Sequence, residues 1–592
     1  MLEVSMDIET DSIKNNIVTK IHCLVCTDLN SDDEYSFVFP EDTNKFKEFS
    51  TGVTKWVMHN GIAFDLVWVQ KFLGVSISLK DVEDTMILSK MHNPYREGGH
   101  SLASWGERLR FPKSDFTDYD NYSEEMLEYC KQDTRVTKKL YNKLRPSMSN
   151  WSDRSIMLEY QVRSIVTQQE FNGYPVKRKE AYILQATLED RMATVEVEVR
   201  KGFRPLPINL GLKEVKYKDD GSMYLNSYKR LGSHGKYVAG NYSFIDWPEF
   251  NLGSRPQISR HLMHYGWKPK EFTPTGQPIV DEAHLEGVDI PEAQLICEYL
   301  MLQKRLAEVY KWIKFSEFDG KVHGQVDTCR AVSNRMGHME PNLAQVPSVR
   351  KGIDNKPLRG TKGGWGVECR ELFTVSDPER YVQLGTDASG LEMRCLAHYI
   401  NDPEFTDELM NGDIHTKNMN DAGLHNRDQA KTFIYAMIYG AGGGKIGEII
   451  NGSAKDGKKL IETYMNNNPK LKALKKAVET KATKTGFIPA LDGRILRVRT
   501  PHASLNLLLQ GCGAIICKQW LVEITKLYRK RRIDATLLAS VHDEYQWEVL
   551  KDHADEFGEL CSEAIKLAQV SLNVRCPLDA DYKVGTNWAE CH

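Results

Sequence analysis

The stretch SVHDEYQW at residues 540–547 places His542, Asp543 and Glu544 in succession inside an otherwise apolar, strand-like run. Unpaired charge is costly to bury, so such groups stay exposed, pair with one another or bind a metal ion. Any fold of this chain must therefore bring a partner to that run.

A second carboxylate stands in YVQLGTDASGLEMRCLAHYI at 381–400. Residues 381–386 read as a strand, Asp387 falls at its end, and the pattern turns helical from Gly390. Asp387 thus lies where a strand terminus opens to a ligand. With Asp543 on a second strand or hairpin, the two carboxylates can hold two Mg²⁺ ions bridged by a triphosphate.

A triphosphate needs further cations, and NRDQAKTFIYAMIYGAGGG at 426–444 supplies them. Asn426 is a suitable N-cap, Gly440 to Gly444 are expected to stop the helix, and Arg427, Lys431, Tyr435 and Tyr439 recur every four residues. That spacing makes a slowly drifting stripe: two cations for phosphates, then two flat rings for a base and sugar.

At the N-terminus LEVSMDIE alternates, with Leu2, Val4, Met6 and Ile8 on one face and Glu3, Ser5, Asp7 and Glu9 on the other. Asp7 and Glu9 project together and repel unless a cation or proton lies between them. HNGIAFD brings Asp65, and YCKQD sets Tyr129 and Asp133 at i and i+4 on a helix. Four carboxylates with a tyrosine suit two divalent ions that activate water for phosphodiester hydrolysis.

Of the 592 residues, 78 are basic and 81 acidic, so net charge neither demands nor excludes a polyanionic partner. The distribution is more telling. Arg200, Lys201, Arg204, Lys213, Lys216, Lys218, Lys229, Arg230 and Lys236 outnumber the acids around them, which makes the 200–250 segment a candidate polyanion contact. Twelve scattered cysteines suggest a reducing compartment. The Cys23–Cys26 pair lies in a strand-like segment without a second pair nearby, a poor zinc site. No apolar run is expected to span a membrane, and no N-terminal signal pattern is present, so a cytoplasmic protein is expected.

The order DxE, NxxxFD, YxxxD resembles the proofreading 3′→5′ exonucleases of the DEDDy type. DASGLEMR, RxxxKxxxYxxxYG and VHDE resemble the palm and fingers of family A DNA polymerases, those similar to bacterial DNA polymerase I. NRMGHMEPNLAQVP at 334–347, GDIHTK at 412–417, LDGR at 491–494, TPHASLNLLLQGCGAIICK at 500–518 and the terminal NWAECH extend the match. Within the family the chain looks most like the T-seven-like phage replicative polymerases.

The resemblance implies an α/β, RNase H-like exonuclease domain over 1–148, then a right-hand polymerase module. Its helical thumb would span 149–330, its α+β palm 331–425 and 486–592, and its helical fingers 426–485. Asp7, Glu9, Asp65 and Asp133 would bind the exonuclease metals, with Tyr129 orienting the attacking water. Asp387 and Asp543 would be the polymerase metal ligands, aided by Glu544 and the Ala388 carbonyl. Mg²⁺ would serve, two ions per site, with Mn²⁺ able to substitute. His542 would lie near the primer terminus, and Arg427, Lys431 and His415 would bind the triphosphate. Tyr435 and Tyr439 would shape the pocket, and Arg335, Asn506 and Gln510 would inspect the nascent pair from the minor groove. Glu392 would collide with a 2′-hydroxyl and exclude ribonucleotides, and Tyr435 in place of Phe implies acceptance of dideoxynucleotides.

Asn334 stands where the family usually has Gly before the arginine, and Asn tolerates the left-handed backbone that the turn needs. Primer-template DNA and dNTPs are the implied partners. Host thioredoxin or another processivity factor is a candidate at the short 200–250 insert. A phage helicase-primase and a single-stranded DNA-binding protein are further candidates, in the host cytoplasm. The competing readings are a single-subunit RNA polymerase, and an exonuclease whose polymerase half only binds DNA.

Overall fold

The computed structural model describes residues 2–12, 17–214, 216–222, 224 and 241–591. Lys229, Arg230 and Lys236 of the basic insert lie outside these. The chain divides into two compact units: 1–176 with 315–346 and 370–592, and 177–314 with 347–369.

The first unit opens with a five-stranded sheet formed by β1 (Leu2–Thr10), β2 (Ile21–Asp28), β3 (Glu34–Val38), β4 (Val53–Met58) and β5 (Val82–Asp84). Its order is β3-β2-β1-β4-β5, antiparallel on the β2–β3 side and parallel from β1 to β5. Both faces of β1 are covered. Val4, Met6 and Ile8 enter one core, while the polar face lies against a helix. There the Ser5 hydroxyl donates to the Thr134 carbonyl (3.0 Å). Cys23 and Cys26 sit three apart on β2 and belong to different cores, so they project from opposite faces and cannot share a metal.

The helices that position function here are α1 (Leu102–Arg108) and α2 (Glu124–Ser147), the latter capped by the Ser123 side chain on the Met126 N–H. Helix α3 (Asp153–Asn172) follows and buries Leu158, Val162 and Val166 in the core of the C-terminal half. The second unit holds two 25-residue helices, α4 (Arg178–Gly202) and α5 (Pro291–Phe315), joined by the Arg191–Glu298 ion pair (2.7 Å). It also carries an antiparallel ribbon of Ile208–Lys213 with Tyr242–Asp246 at the base of the basic insert.

In the C-terminal half, β6 (Tyr381–Ala388) lies inside a four-stranded antiparallel sheet. It is followed by α6 (Leu391–Ile400), α7 (Ile414–Ala422), α8 (Arg427–Ile438) and α9 (Ser504–Arg531). The hairpin β7 (Ala535–Val541) and β8 (Glu544–Leu550), then α10 (Ala554–Leu572) and β9 (Ala580–Gly585), complete the fold. Sheet order is β7-β8-β6-β9. Of the strand and the hairpin that the sequence allowed for Asp543, the SVHDEYQW stretch forms the hairpin: His542 and Asp543 are its two-residue turn.

The helical stretch Pro501–Arg531 is long and apolar enough to cross a membrane, contrary to expectation. Its most apolar window is 89% buried within the protein, against α10 and the sheet, so it serves as a core helix. The glycine run also differs from expectation. Gly440, at φ 87°, follows the end of α8, but Gly443 and Gly444 begin the next helix, Gly443–Ile449. Gly443 is needed there because a Cβ would meet the Ala454 carbonyl at 2.7 Å.

Candidate active sites

Asp7 and Glu9 come from β1, Asp65 from the first residue of the short helix Asp65–Trp68, and Asp133 from α2. The turn before Asp65 is tight: a Cβ on Gly61 would meet the Met58 side chain at 2.4 Å. The Asp65 carboxylate accepts the Ile8 N–H, which seats it on β1 beside Asp7 and Glu9. Cys130, one turn before Asp133, brings its sulfur within 4.8 Å of the Asp7 and Glu9 carboxylates. Its thiol faces the Asp7 carbonyl (3.4 Å) and is held neutral by burial.

Charge in this cradle is poorly compensated. Burial and then the neighbouring carboxylates push Asp7 well above the ordinary range and Glu9 up to about 8. Burial also raises Asp65 to about 7 and Asp133 above its usual value, although Lys113 opposes the shift at Asp133. Asp133 Oδ1 is buried and has no hydrogen-bond partner among the described residues. All-oxygen donors with an orphaned oxygen suit a hard divalent cation. Tyr129, on the same helix, is raised by burial and then by Asp133, and its ring lies 5.6 Å from that of Phe116.

Sequence reading missed Asp84, which is wholly buried at the end of β5. It accepts the N–H groups of Asn60 (3.1 Å), Ile62 (3.2 Å), Met86 (2.9 Å) and Ile87 (3.3 Å). It thereby ties the HNGIAFD turn to the next helix. The available signal was an Asp immediately before a helical pattern.

In the C-terminal half, β6 and β8 pair with Asp387 opposite Glu544, and β6 pairs with β9 with Asp387 opposite Asp581. The Ala388 N–H donates to the Asp543 carbonyl (3.1 Å), so both aspartates lie at one end of the sheet. His542 has φ 57°, a region costly for a non-glycine residue and common at functional turns. Burial, then Asp543, Glu544, Asp581 and Glu392, raise Asp387 to about 7. Burial and then Glu392 raise Asp543. Glu544 turns inward, accepting from Gln546 Nε2 (2.5 Å) and Trp588 Nε1 (2.7 Å), which ties the turn to the C-terminal NWAECH segment. Asp581, unrecognised in the sequence, accepts from the Ser389 hydroxyl (2.7 Å) beside Asp387.

Glu392, in the first turn of α6, accepts from the Tyr439 hydroxyl (2.7 Å) and lies 3.5 Å from Arg335 Nη2. Asn506 Nδ2 donates to the Tyr439 carbonyl (3.0 Å), joining α9 to the end of α8. Arg335 and His542 line a small cleft with Asp543, Gly513 and Lys518. Gly513 lets α9 lie close to α6, since an added Cβ would meet the Leu391 side chain at 3.3 Å. Asn334 has φ 58° and donates its N–H to the Ala331 carbonyl (2.8 Å), so the turn forms without glycine. Gln510 lies one helical turn after Asn506 on α9 and is half-buried.

On α8 the Asn426 side chain caps the Gln429 N–H (3.0 Å), leaving Arg427 and Lys431 exposed, Tyr435 half-buried and Tyr439 at the end. The Tyr435 and His415 rings are 6.5 Å apart. Burial, then Lys431 and Arg427, hold His415 below its ordinary value, so all three groups converge. Arg427 forms a two-pronged pair with Asp413 (2.9 and 3.0 Å), a contact not foreseen from the sequence.

Both carboxylate groups give one pH expectation. Their folded-state pKa values lie above the unfolded ones, so the folded chain binds more protons between about pH 4 and 8, and stability falls as pH rises through that window. Melting temperature in EDTA should therefore drop from pH 5 to 8.5, and saturating Mg²⁺ should remove most of the slope. An EDTA slope of opposite sign would contradict these pKa directions.

Comparison with known proteins places these sites in context. Residues 229–590 match the family described as DNA polymerase family A, and residues 1–149 match that described as 3′-5′ exonuclease. The DNA-directed DNA polymerases of Enterobacteria phage T3 and Escherichia phage T7 are each 31% identical, with 99% of both chains covered. DNA polymerase I of Geobacillus stearothermophilus is 24% identical over 90% of this chain and 56% of its own. Among solved structures, the POL domain of Pol1 from M. smegmatis in complex with DNA primer-template and dNTP has a TM-score of 0.76. It is 17% identical, with 100% of this chain and 96% of that one covered, a likeness of fold.

Fold and relatives define a DNA-directed DNA polymerase with an N-terminal 3′-5′ exonuclease domain. The chain belongs to DNA polymerase family A, whose enzymes depend on divalent metal and act on primer-template DNA and dNTPs, and within it to the phage type.

Proposed function

We propose that the chain is a proofreading replicative polymerase whose two carboxylate sites are separate two-metal centres, each served by Mg²⁺ with Mn²⁺ as a substitute. The observation that carries this reading is the pairing of β6 with β8, which sets Asp387 and Asp543 at one sheet end beside the cation-bearing α8. In each centre divalent ions would supply positive charge to the reacting phosphate and acidify the attacking oxygen.

The protein's own groups do the rest. Arg427 exchanges Asp413 for the triphosphate, which Lys431 and His415 also grip. Glu392 is held by Tyr439 where it obstructs a 2′-hydroxyl, and Tyr435 offers a hydroxyl near the sugar. Arg335, Asn506 and Gln510 inspect the nascent pair, and His542 guides the primer end. Glu544 and the Ala388 carbonyl support the aspartates. In the exonuclease, Asp7, Glu9, Asp65 and Asp133 hold the metals and Tyr129 orients water. Residues 149–330 serve as thumb, 331–425 with 486–592 as palm, and 426–485 as fingers. Phosphate contacts make DNA binding salt-dependent and largely sequence-independent.

Two measurements test the finer reading. Dideoxynucleotides should be incorporated readily, and Tyr435→Phe should raise discrimination against them by up to about tenfold, the scale of one lost hydrogen bond. Strong rejection by the unaltered enzyme in a terminator assay would count against the role of Tyr435. Primer extension on a long single strand with and without thioredoxin addresses the insert: long products only with it would assign 200–250 as a clamp-binding element. Equal lengths would point to another partner or to none. A helicase-primase and a single-stranded DNA-binding protein complete the proposed setting, in the host cytoplasm.

A further inference from the structure

Among the described residues no lysine or arginine forms an ion pair with Asp387 or Asp543, whereas the exonuclease cradle holds one. Lys113 lies in the loop between α1 and α2, and its ammonium pairs with Asp133 Oδ2, the side chain being 21% exposed. The same ammonium is hydrogen-bonded to the Tyr129 hydroxyl and lies 4.7 Å from the centre of its ring.

The loop is built to deliver it. A Cβ on Gly106 would meet the Phe111 carbonyl at 2.9 Å and the Lys113 nitrogen at 3.3 Å, so only glycine lets the loop lie this close to α1. From the other side Gln132, next to Asp133, donates to the Pro112 carbonyl (2.7 Å). Phe116 of the same loop packs on Tyr129. Two anchors and a ring contact therefore hold the lysine over Asp133, whose other oxygen, Oδ1, has no hydrogen-bond partner among the described residues.

We propose that Lys113 is the resident counter-ion of the exonuclease centre, competing with divalent metal for Asp133 and holding Tyr129 in register. This rests on the exonuclease assignment above. An ammonium and a divalent ion cannot both neutralise the same carboxylate oxygen at full strength, so each weakens the other, and by linkage the coupling is reciprocal. The consequence is an exonuclease that demands more metal than the polymerase centre, where Arg335 lies near Asp543 but no described lysine or arginine forms an ion pair with either aspartate.

Mn²⁺ binding to the full chain, followed by electron paramagnetic resonance of the free ion, tests this directly. An Asp387→Ala, Asp543→Ala background confines binding to the exonuclease cradle. Lys113→Met in that background should lower the Mn²⁺ midpoint by about tenfold, within the usual range of such couplings, while Lys113→Arg should stay near the parent. Lys113→Gln gives a second neutral variant should Lys113→Met fail to fold. An unchanged or weakened midpoint in a folded neutral variant overturns the proposal. Loss of Mn²⁺ uptake on adding Asp7→Ala and Glu9→Ala, seen as recovery of the free-ion signal, confirms the cradle, and persistent uptake would instead fault the exonuclease assignment itself.

Discussion

Asp543→Ala is expected to reduce primer extension by about 10³-fold while 3′→5′ degradation of a primer continues, the loss expected when a group opposing developing charge is removed. Asp7→Ala with Glu9→Ala should do the reverse. The reason is structural separation: Asp543 belongs to the β7–β8 turn, and Asp7 and Glu9 to β1 of a different sheet. Measuring both activities of each protein on one labelled primer-template decides the matter. Loss of both in either variant would mean misfolding or a wrong assignment.

The second large effect is on stability. Glu159, Asp492, Arg494 and Lys518 form a fully buried set of charges. Lys518 Nζ reaches both oxygens of Glu159 (2.6 and 2.8 Å), and Arg494 reaches Glu159 (2.5 Å) and Asp492 (2.7 Å). Burial alone would raise both carboxylates, yet Lys518 and Arg494 hold Glu159, and Arg494 holds Asp492, below the ordinary range. Arg494→Leu leaves two acids underpaired in the interior and should cost about 3–5 kcal/mol. Lys55→Ala, which breaks the half-exposed pair with Glu3 (2.7 Å), should cost at most about 1 kcal/mol. Denaturant unfolding of both variants tests the contrast, and equal losses would refute it. Arg494 also donates to Asn334 Oδ1 (3.2 Å), next to Arg335, so surviving Arg494→Leu protein should discriminate less well against mismatched pairs.

Much of the catalytic equipment was legible because it is written in short spacings. Asp7 and Glu9 two apart on a strand, Tyr129 and Asp133 four apart on a helix, and Arg427, Lys431, Tyr435 and Tyr439 at fourfold intervals each specify a shared face once the local structure is known. The strand end at Asp387 and the N-cap at Asn426 followed from the same local rules. The partners of these groups were not legible. Lys113 on Asp133, Asp413 on Arg427, Trp588 on Glu544 and Glu159 on Lys518 join positions 14 to 359 residues apart in the chain, or loops without periodicity. The reading of Asp543 was left open between a second strand and a hairpin, because the apolar flanks of the β7–β8 turn hide its two-residue reversal.

By itself, then, the sequence determined which side chains carry the chemistry and on which local faces they stand, since backbone geometry makes a spacing of two or four residues a statement about direction. Only the tertiary structure decided which charges meet. Asp387 gains Asp543 through strand pairing, Glu544 turns away from the turn to meet the C-terminal segment, and Pro501–Arg531 becomes a core helix through burial. These outcomes depend on long-range packing, where desolvation sets the cost of each charge and so selects its partner.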